Sequence, residues 1–168
     1  MAGKEFKSIS AALAYLETHV VISLERIGEE LKGVLRNNVR LLWYERDYTP
    51  THYTRTYELI DSITVSKAKK VGNGYEVMIY FDTDKINPYP ASDGEWSKHQ
   101  SITTGTDVSV YIPLWADQGQ NSPLFSYEGV GFMKETIDWI KEDEYLKNRM
   151  IELLVMKGFN VLNKLEGF

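Results

Sequence analysis

The sequence predicts an α+β protein: a long N-terminal helix, a small antiparallel β-sheet of three to four strands, and C-terminal helices packed on the sheet. Three observations lead there. All five prolines (Pro50, Pro88, Pro90, Pro113 and Pro123) fall in the middle of the 168 residues, and helix interiors exclude proline, which lacks the N–H and clashes with the preceding turn. Both proline-free flanks carry apolar residues at helical spacing. The centre alternates polar and apolar residues and is rich in aromatic and β-branched side chains.

The first element spans residues 8–44. Ile9, Leu13, Leu16, Val20, Leu24, Ile27, Leu31, Leu35 and Leu42 recur at three-, four- and seven-residue steps, which is one helix face. Ser8 or Ser10 can cap it, because a serine oxygen accepts an orphan N–H of the first turn. Glu17, Glu25, Glu29, Lys32 and Arg36 occupy the opposite face, and His19 is expected at the surface beside them. Such a helix is on the order of 50 Å long at 1.5 Å per residue. A domain of this size cannot cover all of it, so part of the apolar stripe calls for a neighbouring chain. Gly28 and Gly33 each cost about 1 kcal/mol relative to alanine there, which predicts a bend or a close contact nearby.

The β region, residues 50–125, holds a hairpin. Ser62–Ser66 alternates, Tyr75–Phe81 is aromatic and β-branched, and Val71-Gly72-Asn73-Gly74 between them suits a tight turn needing positive φ. A third strand is expected at Val108–Ile112. The polar stretch from about 82 to 107 reads as a long loop, of the kind that is usually functional or mobile. In the last region, 129–165, Phe132, Met133, Ile137 and Ile140 form one helical stripe, and Leu146, Met150, Leu153 and Leu154 form another. Glu142-Asp143-Glu144 suits the start of the second helix and Gly158 its end. The whole, 1–168, reads as a single domain of ordinary size.

Composition narrows the function. The apolar share of 43% and charged share of 26% are those of a water-soluble globular chain. No apolar run approaches the roughly 18 residues that cross a bilayer, so no membrane partner is expected. The opening Met1-Ala2-Gly3-Lys4-Glu5-Phe6 lacks an apolar h-region, so no secretory signal is expected. Cysteine is absent, which excludes disulfides, thiol catalysis and thiolate metal sites within this chain. A net charge of −5 argues against affinity built on phosphate neutralisation. Sequence-specific nucleic-acid binding is therefore not expected, and Lys67-Ala68-Lys69-Lys70 reads as a solvated hairpin end.

No residue pattern raises catalysis. His19, His52 and His99 have no histidine three or four positions away, so no helical metal pair exists. Asp93, Glu95 and His99 could gather round a cation in the 93–99 loop, but a solvated loop is the plainer reading. There is no phosphate-cradling glycine loop and no nucleophile elbow. The expectation is a protein that binds and assembles, with no enzymatic activity and no cofactor. The aromatic surplus points the same way: eleven tyrosines, six phenylalanines and four tryptophans, residue types enriched at interfaces. Trp43 and Tyr44 at the helix end, and Trp115 ahead of Asp117-Gln118-Gly119, are the candidate anchors; packing at the core edge is the alternative for each.

The segment Pro50-Thr51-His52-Tyr53-Thr54-Arg55-Thr56-Tyr57-Glu58-Leu59-Ile60-Asp61-Ser62-Ile63 resembles a signature of the neck or tail-completion proteins of long-tailed bacteriophages. That signature reads Pro…Arg-Thr-Gly-x-Leu-x-x-Ser-Ile. Trp115-Ala116-Asp117-Gln118-Gly119 resembles the family's aromatic-Ala-x-x-Glu-Gly stretch, and Pro123-Leu124-Phe125 before Phe132-Met133 its Pro-Phe stretch. Helix, motif, sheet and C-terminal helix come in the same order. The sequence departs at Tyr57, where the family has glycine, and at Gln118, where glutamate is usual; the 82–107 insertion is longer than the pattern needs. Tyr57 must therefore avoid positive φ.

The resemblance implies a virion structural protein of the head–tail junction that helps join a completed tail to the capsid. It implies a homo-oligomeric ring in the virion, which can be a monomer when isolated, closed by heterologous contacts. Other neck or tail proteins are the implied partners, and host cytoplasm is the implied location during assembly. Arg55, Thr56, Leu59, Ser62 and Asp117 join Trp43, Tyr44 and Trp115 as candidate interaction residues. Within the motif, Thr56 can cap a short helical turn, Leu59 and Ile60 turn inward, and Ser62-Ile63 opens a strand. Arg55 offers a planar fork of donors to a carboxylate across a subunit boundary or within the chain. The rival expectations are an enzyme whose 82–107 loop is a lid or metal site, and a small intracellular regulator that binds one protein.

Overall fold

The computed structural model describes residues 5–46, 56–86, 104, 107–121, 126–142 and 144–161. It shows the predicted class, mixed helix and sheet in the predicted order. Helix α1 runs Ile9–Val39 and continues as a π-turn, Arg40–Tyr44, closed by Glu45 N–H on Arg40 O at 2.9 Å. Its start is capped as serine chemistry predicts: Ser8 Oγ accepts Ala11 N–H at 3.1 Å. Helix α2 (Glu58–Ser62) leads into β1 (Ile63–Val65), followed by β2 (Lys69–Val71), β3 (Gly74–Glu76) and β4 (Ile79–Phe81). A 3₁₀ turn at Ser109–Tyr111 precedes α3 (Ile112–Gln118), then β5 (Gly119–Asn121), β6 (Ser126–Glu128), α4 (Phe132–Glu142) and α5 (Tyr145–Met156).

The strands form two-stranded pairs, β1 with β4, β2 with β3, and β5 with β6. The expected hairpin therefore exists but is split in two. At the split, Ser66 donates its N–H to Met78 O at 2.9 Å, while Met78 N–H bonds the Ser66 hydroxyl, also at 2.9 Å, in place of a carbonyl. The side chain of Ser66 thus interrupts the ladder. Beyond it, β2 and β3 pair antiparallel with Val71 opposite Gly74. Gly72 takes φ +57° at the first turn position, the place where type II′ hairpins use glycine. Asn73 keeps negative φ.

One expected strand is a helix start instead. Val108–Ile112 forms the 3₁₀ turn and opens α3. Asp107 Oδ1 accepts Ser109 N–H at 2.8 Å, a side-chain turn that competes with an extended ladder. Pro113 then sits in the first turn of α3, where its missing N–H costs nothing. The 82–107 stretch also begins with structure: Thr83–Lys85 is a 3₁₀ turn and Ile86 is buried. Residues 87–103, with Asp93, Glu95 and His99, lie outside the described residues, as do His52 and Arg55.

The chain clusters into two compact units. The first comprises the described residues within Met1–Glu30, Val65–Met78 and Ile140–Phe168. Here Gly28 meets the β2–β3 arm so closely that an added Cβ would lie 2.8 Å from Val77 and 2.9 Å from Val65. A bend or a close contact is expected near Gly28 and Gly33, and Gly28 makes such a contact; Gly33 has open space around it among the described residues. Helix α5 ends as Gly158 suggested. Gly158 adopts φ +87°, its N–H bonds Val155 O, and Phe159 N–H bonds Leu154 O, the paired pattern of a Schellman cap.

The second unit comprises the described residues within Leu31–Thr64 and Ile79–Trp139. Its core is Leu35 and Val39 of α1, Leu59 and Ile60 of α2, Ile63, Ile86, Ala116 and Phe132. Phe132, fully buried, packs its ring 5.8 Å from that of Phe81 on β4. Asn38 Nδ2 donates to the buried Thr136 Oγ1 at 2.9 Å, tying α1 to α4 with a satisfied polar pair.

Candidate interaction surface

The N-terminal half of α1 leaves an aligned row of apolar side chains exposed among the described residues. Along one face, exposure is 81% at Ile9, 59% at Leu13 and 36% at Leu16, and falls to 2% at Ile27. These residues step by four, three and then eleven, so they lie on one stripe. The stripe stays apolar throughout; what changes is whether anything covers it. Among the described residues nothing covers its first two turns. Lone exposed apolar residues are ordinary, and an aligned row at one end of a helix is a candidate contact face.

Polar groups of the first unit frame this stripe. On one flank Glu17 accepts the Tyr75 hydroxyl and the Lys70 ammonium, the latter at 3.0 Å. Glu25 accepts Ala68 N–H at 3.1 Å and pairs with Lys67 at 3.4 Å. Both carboxyls are held below the usual carboxylate range, Glu17 chiefly by the Tyr75 hydroxyl and then Lys70, Glu25 chiefly by the Ala68 N–H. Lys67 and Lys70 of the exposed hairpin end thus also pair with helix acids. His19 differs from expectation. It lies half-buried between rings, 4.3 Å from Tyr15 and 5.8 Å from Phe159, and its buried Nδ1 has no hydrogen-bond partner among the described residues. The helix wheel placed it on the polar side; Phe159, which the α5 cap turns back onto α1, brings the aromatic cover.

A third cluster joins α1 to α5. Arg149 grips Glu30 with two donors, Nε to Oε2 at 2.7 Å and Nη2 to Oε1 at 2.5 Å, the bidentate geometry that makes such pairs strong. Tyr145 donates to Glu30 at 2.7 Å and Arg26 at 3.2 Å. Arg149 foremost, with Tyr145 and Arg26, draws the Glu30 carboxyl down to about 2. Burial, reinforced by Glu30, pushes the Tyr145 phenol up to about 12. An open groove of about 270 Å³ beside this cluster is lined by Ile22, Glu25, Arg26, Glu29, Val65 and Lys67, and within it Glu25 pairs with Lys67.

In the second unit the residues singled out from the motif come together, mostly inward. Leu59 and Ser62 are buried; Ser62 Oγ donates to Leu59 O at 2.8 Å. They pack the chain's own core and present nothing to a partner. Thr56 pairs its hydroxyl with Glu58 Oε2 at 3.1 Å and does not cap α2. Its carbonyl accepts the Tyr44 hydroxyl, and the Tyr44 ring stacks on Tyr57 at 4.7 Å. Tyr57 has φ −78°, so a residue with a Cβ sits there without strain. Trp43 packs partly buried against the core. Trp115 stacks on Tyr111 at 5.6 Å, next to the exposed side chains of Val110, Tyr111 and Leu114.

Asp117 has a role that spacing could not reveal. Gly131 O accepts the first bond of α4, from Glu135 N–H at 3.0 Å, so Gly131 is the N-cap and has no side chain to offer. Asp117 Oδ1 accepts Met133 N–H at 2.8 Å instead. It supplies from α3 both the missing acceptor and a negative charge at the positive end of α4. The approach depends on Gly129, where a Cβ would fall 2.2 Å from Asp117 O and from the Gln118 carbonyl carbon.

Among the described residues no three His, Asp or Glu side chains converge as a metal site, and no helix is long and apolar enough to cross a membrane. The aromatic and charged groups that do converge hold elements together. Compared with protein-family models, with curated proteins and with solved structures, the chain matches none of them.

Proposed function

We propose that this chain is a structural protein of the bacteriophage head–tail junction, a neck or tail-completion component that acts by joining copies and neighbours into a ring. The observation that carries the reading is the α1 stripe, which among the described residues is buried at Ile27 and increasingly exposed at Leu16, Leu13 and Ile9. A row of apolar side chains left open beside a covered continuation of the same face suits a subunit completed by its neighbour. The motif resemblance supplies the particular assembly, and the α+β order agrees with it. The described stripe exposes three apolar side chains, few beside the roughly 20 to 30 residues a side of a standard stable interface. A monomer that assembles only when the neighbouring surfaces of a ring add up is consistent with that size.

The test pairs assembly with stability. Replacing Ile9 and Leu13 together by glutamate should abolish head–tail joining in a complementation assay, leaving filled heads and free tails. Because both residues are exposed, thermal stability of the purified chain should change little. Full complementation by the double variant would overturn the reading.

A further inference from the structure

The geometry points to the β2–β3 ribbon being a releasable strap, rooted where Val65 and Val77 meet Gly28 and clipped along α1 by Glu17 and Glu25. Its residues bury very little: Lys69, Lys70, Val71, Gly72, Asn73, Gly74 and Glu76 are exposed, and Tyr75 is half-buried. An isolated two-stranded hairpin is marginal in water, so this one depends on what it lies against. It lies along the helix axis. From Val65 to Lys70 an extended chain covers roughly 16 Å, and from Gly28 to Glu17 the helix also covers roughly 16 Å. The lengths match, which is why contacts fall in sequence order from root to tip.

Those contacts are of two kinds. At the root, Val65 and Val77 close on Gly28, and the two Ser66–Met78 bonds fasten the strands. Toward the tip, Glu25 holds Ala68 N–H and Lys67, and Glu17 holds Tyr75 and Lys70. Arg26 and Glu29 of α1 line the same groove as Glu25 and Lys67. Exposed ion pairs are weak and screened by salt, whereas the apolar root is not. The strap therefore opens from its tip while the root persists. Both clip carboxyls sit below their ordinary range, so their hold is complete above the ordinary carboxylate pKa. It is lost as pH falls through the lower values of the clipped state.

Hydrogen exchange on the full chain tests this. In a variant combining Glu17→Gln and Glu25→Gln, amides of residues 69–76 should exchange about tenfold faster or more. Amides of residues 20–35 in α1 should keep their protection. Exchange in 69–76 of the unaltered chain should also rise with added salt up to about 1 M, and the double variant should lose that dependence. Unchanged exchange in the variant, or equal loss across α1, would overturn the strap. So would a variant as salt-sensitive as the parent.

Discussion

Asp117 and Gly129 show how much can hang on a pair of residues remote from each other in sequence. The carboxylate caps a helix whose own N-cap is glycine, and it reaches that helix because a second glycine lets two backbones nearly touch. Asp117→Ala should lower the unfolding free energy by about 1 kcal/mol, and Asp117→Asn by less, since the amide oxygen still accepts the Met133 N–H. Gly129→Ala forces a methyl into backbone atoms that cannot yield like a side-chain tip. It should cost about 3 kcal/mol, read from the urea midpoint. The Trp115-Ala116-Asp117-Gln118-Gly119 stretch marks Asp117 in the sequence as a candidate contact for a partner; its observed contact is with the chain's own α4.

Among the elements, the union of α1 with α5 has the clearest chemical signature. Glu30 accepts from Arg149, Tyr145 and Arg26, and its carboxyl falls from the usual 4.5 to about 2. A depressed carboxyl adds stability above its unfolded pKa and loses it as pH falls through the folded value. This contribution should therefore be intact at neutral pH and disappear between about pH 4.5 and about 2. Acid denaturation followed by circular dichroism should show that limb, and Glu30→Gln should lower stability at pH 7 while flattening the limb. Which elements were legible follows from range. Helix α1, the turn at Gly72 and the end of α5 rest on residues within a few positions of one another, and periodicity finds them. The Glu30–Arg149 grip and the fate of Val108–Ile112 depend on distant partners or on one side-chain turn, Asp107 to Ser109. Alternation over five residues fits a strand and a 3₁₀ turn equally well. The aromatic surplus was likewise legible, but not which rings would be spent internally, as those of Tyr44 and Phe132 are.

For the molecule as a whole, net charge and the open stripe act in opposite directions. Copies carrying −5 repel at low ionic strength, while apolar contact between stripes is insensitive to screening and strengthened by excluded salts. Self-association measured by light scattering at high concentration should thus grow as salt rises from about 0.02 M to about 0.3 M. An Ile9→Glu, Leu13→Glu variant should not show that growth. The opposite salt trend would mean that ion pairs, not the stripe, bring copies together.

The π-turn at Arg40–Tyr44 has one more implication. A ring closed to the fifth residue holds one residue more than an α-turn, so everything beyond it is rotated by about 100° from where an unbroken helix would aim it. Leu42, Trp43 and Tyr44 all pack on the core of the second unit, so their aim depends on chain phase as much as on side-chain identity. At this point the protein is more vulnerable to a lost or gained codon than to an exchanged one.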